Sequence, residues 1–353
     1  MSEPAAAERG PSPLVRALQI TLGLGLAAAL LWWGLPFLAG TTWAEVGEVL
    51  GAVPLSKAAI FTGLVIAGLS CYTFVMTGAM PGLSHVRALV LNVCGSSVSN
   101  LLPGGGAVGL AATYSIAKSW GFSVASVTTM AVVTGVWNVL ARAALPVIAV
   151  IALSWGATDL PPSMRDAAWA AIITGVIVIA VFVMAIISDV GARLLGRGLD
   201  RLVRMVRRGH IDQIERGLVG LRAQIADTVR TGWPSMTLGM VGFFGLYYVL
   251  FLLCMSATGV ELPYGQFFAA YAIGRLLTAV GITPGGLGVT EAGTTAALVA
   301  WGADPAAAVA GVLIFTVFTH LLEIPLGMIG WIAWSVMPRA SRAEVREVEL
   351  GTD

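Results

Sequence analysis

Apolar runs of about twenty residues recur along the whole chain, and they limit the possible folds more than any other feature. A helix of about 20 apolar residues is long enough to cross a hydrocarbon core of about 30 Å. Charged residues make up only 11% of the chain, whereas about a quarter is usual in soluble domains. The sequence therefore predicts an all-α polytopic membrane protein. Full spans are predicted at Leu18–Ala39, Ala58–Met80, Ser123–Trp155, Ala167–Ser188, Ser235–Ser256 and Ala306–Val336.

The spans are expected to form one domain over residues 18–336, between a disordered tail at residues 1–17 and a cytoplasmic tail at residues 337–353. The first span is too long for the core of a signal peptide, so we expect it to be retained. The third and sixth spans exceed the bilayer thickness and must tilt, kink or protrude. Pro146 and Pro325 are the predicted kinks.

Two further apolar regions are each interrupted by proline and glycine. Val86–Trp120 is broken at Pro103-Gly104-Gly105-Gly106, and Phe267–Trp301 is broken at Pro284-Gly285-Gly286. Each break leaves two limbs of about fifteen residues, which as helices are about 22 Å long and too short to cross comfortably. Each region is therefore predicted to be a re-entrant hairpin, which enters the membrane and returns to the same side.

The two broken regions match each other at an offset of 181 residues, the offset from Pro103 to Pro284. The match predicts an internal repeat, with one copy at residues 58–155 and the other at residues 235–336. The matched positions are Pro103 with Pro284, Gly104 with Gly285, Gly105 with Gly286, Val108 with Val289, Trp120-Gly121 with Trp301-Gly302, and Arg142 with Glu323.

The distribution of basic residues predicts the orientation. Residues 189–233 are rich in arginine and the C-terminal tail carries three more, so both segments and the N-terminus are expected to be cytoplasmic. The loops at 40–56, 156–166 and 259–264 contain Arg165 as their single basic residue and are expected outside. When the chain is followed from a cytoplasmic N-terminus, each segment of the second copy crosses the membrane in the direction opposite to its counterpart in the first copy. Inverted repeats of this kind, with paired glycine- and proline-broken segments, are typical of alternating-access transporters.

The cytoplasmic linker at residues 190–233 is predicted to contain an amphipathic helix. Two interpretations remain open: a solvated helix packed under the bundle, or an interfacial helix that contacts anionic headgroups. Its apolar stripe consists of Ile211, Ile214, Leu218, Leu221 and Ile225, and it is preceded by Arg193, Arg197, Arg201, Arg204, Arg207 and Arg208.

Few ionisable residues are expected at membrane depth, and an unpaired charge there is costly. Arg142 and Glu323 occupy equivalent repeat positions and could pair, and Arg275 and Glu291 could pair across the second break. These pairs are either structural locks or groups that contact a charged headgroup or carry a proton. His320 precedes Glu323 by one helical turn and could share its proton, although it could equally be an interior donor. Glu291, His320 and Glu323 are thus the proton-coupling candidates.

The glycine breaks permit close helix packing, and the helix after each break directs its positive end into the membrane, where it suits an anion. We find no Walker, HExxH, GxSxG, paired-acid or metal-binding pattern, so we expect neither an enzyme nor a cofactor. Cys71, Cys94 and Cys254 lie in apolar segments without metal spacing and are predicted to be buried thiols.

The chain resembles the lysylphosphatidylglycerol synthase transmembrane-region family, the flippase-like family that includes the membrane domain of the multiple peptide resistance factor. The resemblance extends from about Leu18 to Val336. It rests on Asn100-Leu-Leu-Pro103-Gly104-Gly105 and, more specifically, on Thr283-Pro284-Gly285-Gly286-Leu287-Gly288-Val289 with Glu291-Ala292-Gly293. It implies an eight-segment helical fold with re-entrant elements and a role in moving or presenting polar lipids.

The sequence departs from this family at two places. Many relatives carry an acid and an arginine after the first break, where this chain has Ala107-Val108-Gly109-Leu110-Ala111. An arginine that is frequent on the last long helix corresponds to about Thr316. In fused members of this family a separate soluble domain makes the aminoacyl lipid. Only residues 337–353 follow the last predicted span, so we expect no such domain here, and the resemblance does not imply synthase activity.

We therefore expect a multi-pass protein of a bacterial cytoplasmic membrane that moves an anionic or zwitterionic phospholipid or an isoprenoid-linked lipid between leaflets. The alternatives are an accessory subunit of a lipid-modifying enzyme and an ion-coupled transporter of small anions. Expected partners are membrane lipids and either a second copy or such an enzyme, but not nucleic acid. The predicted headgroup-binding residues are Asn100, Pro103, Gly104, Gly105, Arg142, Arg275, Pro284, Gly285, Gly286, Glu291 and Glu323.

Overall fold

The computed structural model describes residues 28–101, 105–155, 212–278 and 286–340, together with Gly25, Ile173, Ile177 and Thr283. These residues form helices and no strand. The helices are α1 (Leu35–Ala39), α2 (Trp43–Ala52), α3 (Ser56–Ala79), α4 (His85–Leu101), α5 (Gly105–Ser119), α6 (Val124–Trp155), α7 (Asp212–Ala257), α8 (Tyr264–Leu277), α9 (Val289–Ala300), α10 (Pro305–Thr316) and α11 (Glu323–Val336), with π-helical turns at Leu30–Gly34 and Val317–Leu321.

Four segments of the described residues are long and apolar enough to cross a membrane, which confirms an all-α membrane protein. They correspond to four of the six predicted spans. Of the predicted span at Ala167–Ser188 only Ile173 and Ile177 are described, and residues 18–24, 26 and 27 of the span at Leu18–Ala39 lie outside the described residues. The four segments are Ser56–Ala79, Val124–Leu153, Asp227–Ala257 and Pro305–Val336.

The hairpins of the two copies end in the same way. Gly121 and Gly302 follow α5 and α9 with φ of 87° and 94°, a conformation that glycine adopts without steric cost. Phe122 and Ala303 then each donate their N–H to the carbonyl five residues earlier, at 3.2 and 3.1 Å. Each of these backbone hydrogen bonds at the end of α5 therefore has a counterpart at the end of α9, at the predicted offset of 181 residues.

The contacts between helices repeat with the same symmetry. α4 of the first copy packs on α11 of the second, just as α8 of the second copy packs on α6 of the first. α3 packs most extensively on α7, which contains its counterpart. Gly68 contacts Tyr247 and Gly78 contacts Gly232, so these two helices run antiparallel. Antiparallel packing of equivalent helices is what inverted copies require.

The α3–α7 contact depends on small residues. Gly78 and Gly232 face each other so closely that a Cβ atom on either would approach the carbonyl oxygen of the other. Small residues allow membrane helices to approach in this way. Around this contact lies one large core that includes the fully buried Tyr247, Phe251 and Tyr271.

The structure adds detail to two of the predicted spans. The span predicted at Ser235–Ser256 is the last part of the 46-residue helix α7, which begins at Asp212 and continues through Pro234. The linker at residues 190–233 is thus not separate from the span where it is described. The sixth span is confirmed as the segment Pro305–Val336, and the π-helical turn Val317–Leu321 divides it into α10 and α11. The irregularity precedes Pro325, which lacks the N–H that would bond to Leu321 in an α-helix.

α2 lies where a loop was predicted, between residues 40 and 56. Its N-terminus is closed by a capping box, in which Thr42 Oγ1 accepts from the Glu45 N–H at 3.4 Å and Glu45 Oε2 accepts from the Thr42 N–H at 2.8 Å. The Thr41 hydroxyl also donates to Glu45, and these bonds hold the pKa of this carboxyl below its usual value. The buried side chain of Val46 fixes the helix against α10.

The three cysteines are free thiols, as predicted. Cys94 and Cys254 are fully buried, whereas Cys71 is half-buried. Cys71 lies at the α3–α7 contact, where its backbone leaves room only for a glycine at position 239. The thiols therefore act as small apolar groups in helix packing.

Candidate functional site

The first hairpin, α4–α5, is held together by glycines near its tip. A Cβ atom on Gly105 would overlap the backbone of Ser99, and one on Gly109 would meet the Gly95 carbonyl oxygen. The Ser99 hydroxyl donates to the Gly105 carbonyl oxygen at 3.2 Å. Gly105, a predicted site residue, thus serves close packing between the two limbs.

The end of α4 reaches the middle of the last long segment of the second copy. Asn100 Nδ2 donates to Glu323 Oε2 at 2.9 Å, and the His320 carbonyl oxygen lies 3.5 Å from the same nitrogen. Glu323 is 8% exposed and stands near the middle of the 32-residue segment Pro305–Val336. The C-terminal end of α4 therefore lies opposite the middle of that segment.

The end of α8 makes the equivalent contact with the first copy. Arg142 Nη1 donates to Thr278 Oγ1 at 2.6 Å and to the Arg275 carbonyl oxygen at 3.4 Å. Arg142 stands near the middle of the 32-residue helix α6. A cation at a helix C-terminus is favoured by the helix dipole. Each copy thus holds the hairpin of the other with an ionisable residue at mid-helix.

Neither predicted ion pair forms. Arg142 is bonded to the end of α8 and Glu323 to Asn100, so these two residues do not meet. Arg275 and Glu291 do not pair either. Equivalent positions share a depth along the bundle axis, but each faces the end of the neighbouring hairpin instead of its counterpart. An ion pair between described side chains does occur at the surface, where Asp227 and Arg230 are 3.7 Å apart.

Glu291 is fully buried and closes the N-terminus of its own helix. Its Oε2 accepts from the Gly288 N–H at 2.6 Å, and its Oε1 accepts from the Thr316 hydroxyl at 2.6 Å. Gly286 and Gly288 have φ of 77° and 87°, so the turn before α9 needs glycine at both positions. The two donors and the positive end of α9 stabilise the carboxylate without a basic partner.

Arg275 lies in the last turn of α8 and is 7% exposed. Its Cζ is 5.0 Å from the ring centroid of Phe315 and 5.4 Å from that of Tyr271. In the described part of the chain, its Nε has no hydrogen-bond partner. Aromatic rings, which attract a cation over their faces, replace the predicted carboxylate.

Arg275 borders a small cavity between α8, α9 and α10. Its walls are the aromatic rings of Phe251, Tyr271 and Phe315, and its polar lining comes from Thr290, Thr294, Thr316 and His320. Among the described residues, the buried Thr290 and Thr283 hydroxyls have no hydrogen-bond partner. Thr316 lines this cavity, and its hydroxyl donates to Glu291.

The remaining predicted site residues divide into two groups. Pro103, Gly104, Pro284 and Gly285 lie outside the described residues. His320 Nδ1 is 3.1 Å from Thr319 Oγ1, so its ring contacts a neighbouring hydroxyl.

Sequence analysis missed Thr278 and Thr290. Both stand among apolar residues beside a predicted charged residue, three after Arg275 and one before Glu291. A hydroxyl in such a position is a candidate hydrogen-bond partner for a ligand or a charged side chain. This signal could have identified both threonines.

Comparison with known proteins gives one family match. The model of the family described as "Lysylphosphatidylglycerol synthase TM region" matches residues 20–327 of the 353. The match includes both hairpins, the Arg275 cavity and the two contacts between copies. No curated protein matches the chain.

Proposed function

The chain belongs to the lysylphosphatidylglycerol synthase transmembrane-region family, and we propose that it moves a polar lipid between the leaflets of a bacterial cytoplasmic membrane. It acts as a transporter and not as an enzyme. The headgroup passes along the hairpin tips, while the acyl chains stay in the surrounding bilayer. The family supports a membrane role connected with lipids, and the transport step is our proposal.

The observation that carries the proposal is the pair of contacts between copies, Asn100 with Glu323 and Arg142 with Thr278. They place polar groups from both copies near the midpoints of the long helices. In transporters built from inverted repeats, substrate sites lie at this depth, between the repeats. One contact opens while the other stays closed, so the headgroup is exposed to one leaflet at a time.

Helix lengths support hairpins that enter the bilayer and return. α4 and α5 have 17 and 15 residues, and α8 and α9 have 14 and 12. At about 1.5 Å per residue these limbs are about 18–26 Å long, shorter than a hydrocarbon core of about 30 Å. We place the first hairpin in the cytoplasmic half of the membrane and the second in the outer half, with both chain ends in the cytoplasm.

The test is lipid transfer in proteoliposomes that contain a lipid labelled at its headgroup. Dithionite added outside bleaches only label in the outer leaflet, so transfer increases the bleached fraction above that of protein-free vesicles. We expect such an increase for at least one anionic or zwitterionic phospholipid. An unchanged bleached fraction for every such lipid, with the protein folded and inserted, would contradict the proposal.

A second candidate is an ion-coupled transporter of a small soluble anion. The observation in its favour is the small size of the cavity beside Arg275, which is enclosed by three aromatic rings. Under this function Glu291 or Glu323 carries the proton. Uptake of a soluble anion that stops when the proton gradient is dissipated, without lipid transfer, would support it over the first proposal.

A further inference from the structure

The two contacts between copies differ in whether they can respond to a proton. Glu323 supplies a carboxylate to the first contact, and a carboxylate loses its negative charge when it takes up one proton. Arg142 supplies a guanidinium to the second contact, and arginine keeps its charge in proteins. A change of pH therefore acts on the contact of the first hairpin and leaves the contact of the second hairpin unchanged.

The negative charge of Glu323 is what α4 binds. Asn100 Nδ2 donates to Glu323 Oε2 at 2.9 Å, and Ser96, one turn earlier on α4, is a second hydrogen-bond partner of the same carboxylate. Hydrogen bonds to an ionised acceptor are roughly twice as strong as those between neutral groups. Protonation adds one hydrogen to the carboxylate and removes its charge, so both bonds become weaker together.

Titratable groups on other elements also face Glu323. Arg275 on α8 attracts the carboxylate, and the buried Tyr247 on α7 is close enough to interact with it electrostatically. His320 lies in the π-helical turn, one helical turn before Glu323, and its Nδ1 is 3.1 Å from the Thr319 hydroxyl. Of these three groups, His320 is the one that ordinarily changes its charge near neutral pH, so the test has to separate it from Glu323.

Glu291 does not have this role, although it is also a buried carboxylate. Its oxygens accept from the Gly288 N–H and the Thr316 hydroxyl, which belong to the same copy. Its side chain is fully buried, whereas that of Glu323 is 8% exposed. A proton on Glu291 would change the N-terminus of α9 without affecting either of the two contacts between copies.

We propose that Glu323 is the proton-binding group of the transporter, and that one proton from the aqueous phase opens the contact between α4 and α11 while the Arg142 contact stays closed. Both contacts are formed in this structure. With Glu323 ionised the protein keeps this closed form, and protonation allows the first hairpin to separate from α11. This inference rests on the proposed lipid transport and names the ion that controls it.

Cys94 provides a reporter of this opening that needs no lipid transfer. Its thiol is fully buried on α4 against α11, with Sγ 4.0 Å from the Gly327 carbonyl oxygen. The experiment measures the rate at which a small maleimide labels Cys94 in the purified full-length chain, with the labelled peptide identified by mass spectrometry. Each variant is compared with the unchanged chain at the same pH, so that the titration of the thiol itself cancels.

Glu323→Gln should label about tenfold faster than the unchanged chain at alkaline pH, because its contact with α4 is neutral. At acidic pH the two rates should converge. Asn100→Asp should label faster than the unchanged chain at alkaline pH and more slowly at acidic pH, because two carboxylates repel each other when both are ionised and can share one proton. The matched control is Glu48→Gln, which removes an exposed carboxylate and should label as the unchanged chain does.

Equal labelling of Glu323→Gln and the unchanged chain at alkaline pH would overturn the inference. His320→Gln should match the unchanged chain at both pH values, and a divergence in this variant but not in Glu323→Gln would assign the proton to His320 instead. If Glu323→Gln does not fold, Asn100→Asp carries the test, and a rate that never falls below that of the unchanged chain counts against Glu323.

The same measurements separate this inference from the proposed function. Labelling that depends on pH through Glu323, without any lipid transfer, would contradict the transport proposal and leave the proton site intact. Lipid transfer together with labelling that ignores Glu323 would do the reverse.

Discussion

Asn100, at the end of α4, donates a hydrogen bond to Glu323, at the start of α11, across the boundary between the two copies. The Glu323 side chain is 8% exposed, and the Asn100 amide donates to it at 2.9 Å. This bond connects the tip of a short hairpin to the midpoint of a long segment of the other copy.

Asn100→Ala should lower the free energy of unfolding by about 1–3 kcal/mol, because it removes the amide that donates to the buried Glu323 carboxylate. Glu323→Gln combined with Asn100→Ala should recover part of the loss, because a neutral amide is less costly to bury. Unfolding of all four members of this double-mutant cycle in one detergent measures the coupling. Strictly additive effects would show that the two side chains do not interact.

Thr278→Val should destabilise the protein by about 1 kcal/mol and reduce lipid transfer, since it removes the hydroxyl that accepts from Arg142. The matched control is Thr231→Val, because the Thr231 hydroxyl bonds only within its own helix. Thermal unfolding and the dithionite assay measure the two effects. Equal losses in both variants would mean that the Arg142 contact has no special role.

Gly105→Ala and Gly106→Ala should differ strongly although they are adjacent. A Cβ atom on Gly105 would overlap the Ser99 backbone, whereas one on Gly106 has nothing within 4 Å. Gly105→Ala should open the first hairpin and lower the yield of monodisperse protein. Gly106→Ala should be neutral or stabilise by about 0.5–1 kcal/mol, because alanine is the better helix former. Size-exclusion profiles and unfolding temperatures test this, and similar behaviour would exclude close packing at Gly105.

Arg275→Met and Glu291→Gln should have opposite effects on the lipid-free protein. Replacing a buried cation that has no ion pair among the described residues by an apolar side chain of similar length should be neutral or stabilising. Glu291→Gln should cost about 1–3 kcal/mol, because an amide cannot accept with both atoms from Gly288 and Thr316. Unfolding temperatures in lipid-free detergent distinguish the two. A large loss for Arg275→Met would identify Arg275 as structural.

The repeat was predictable because its signals are local. Trp-Gly pairs at Trp120-Gly121 and Trp301-Gly302 mark the ends of two helices in the sequence. In the structure both glycines have positive φ, and both helix ends have the same backbone hydrogen bonds. α2 was also predictable, since Thr42 and Glu45 have the spacing of a capping box. The helix was not predicted, because the apolar runs on either side favour long spans over a ten-residue helix.

The pairing of charges was not predictable in this way. The repeat offset gives the depth of Arg142 and Glu323 but not the direction in which each faces, and direction depends on lateral helix packing. The π-helical turn Val317–Leu321 was not predictable for the same reason. Its shifted hydrogen bonds depend on packing against other helices as well as on Pro325. Arg275 was identified correctly as a buried charge, but its aromatic neighbours come from α8 itself and from α10.

The most direct test of the account compares the initial rate of lipid transfer by Arg275→Gln and Arg230→Gln in matched proteoliposomes that contain headgroup-labelled phosphatidylglycerol. Both substitutions remove one arginine charge. Arg275 is buried beside the cavity between α8, α9 and α10, whereas the Arg230 side chain is 83% exposed. The account predicts transfer near that of the unchanged chain for Arg230→Gln and a loss of about tenfold for Arg275→Gln. Equal rates for the two variants would contradict it.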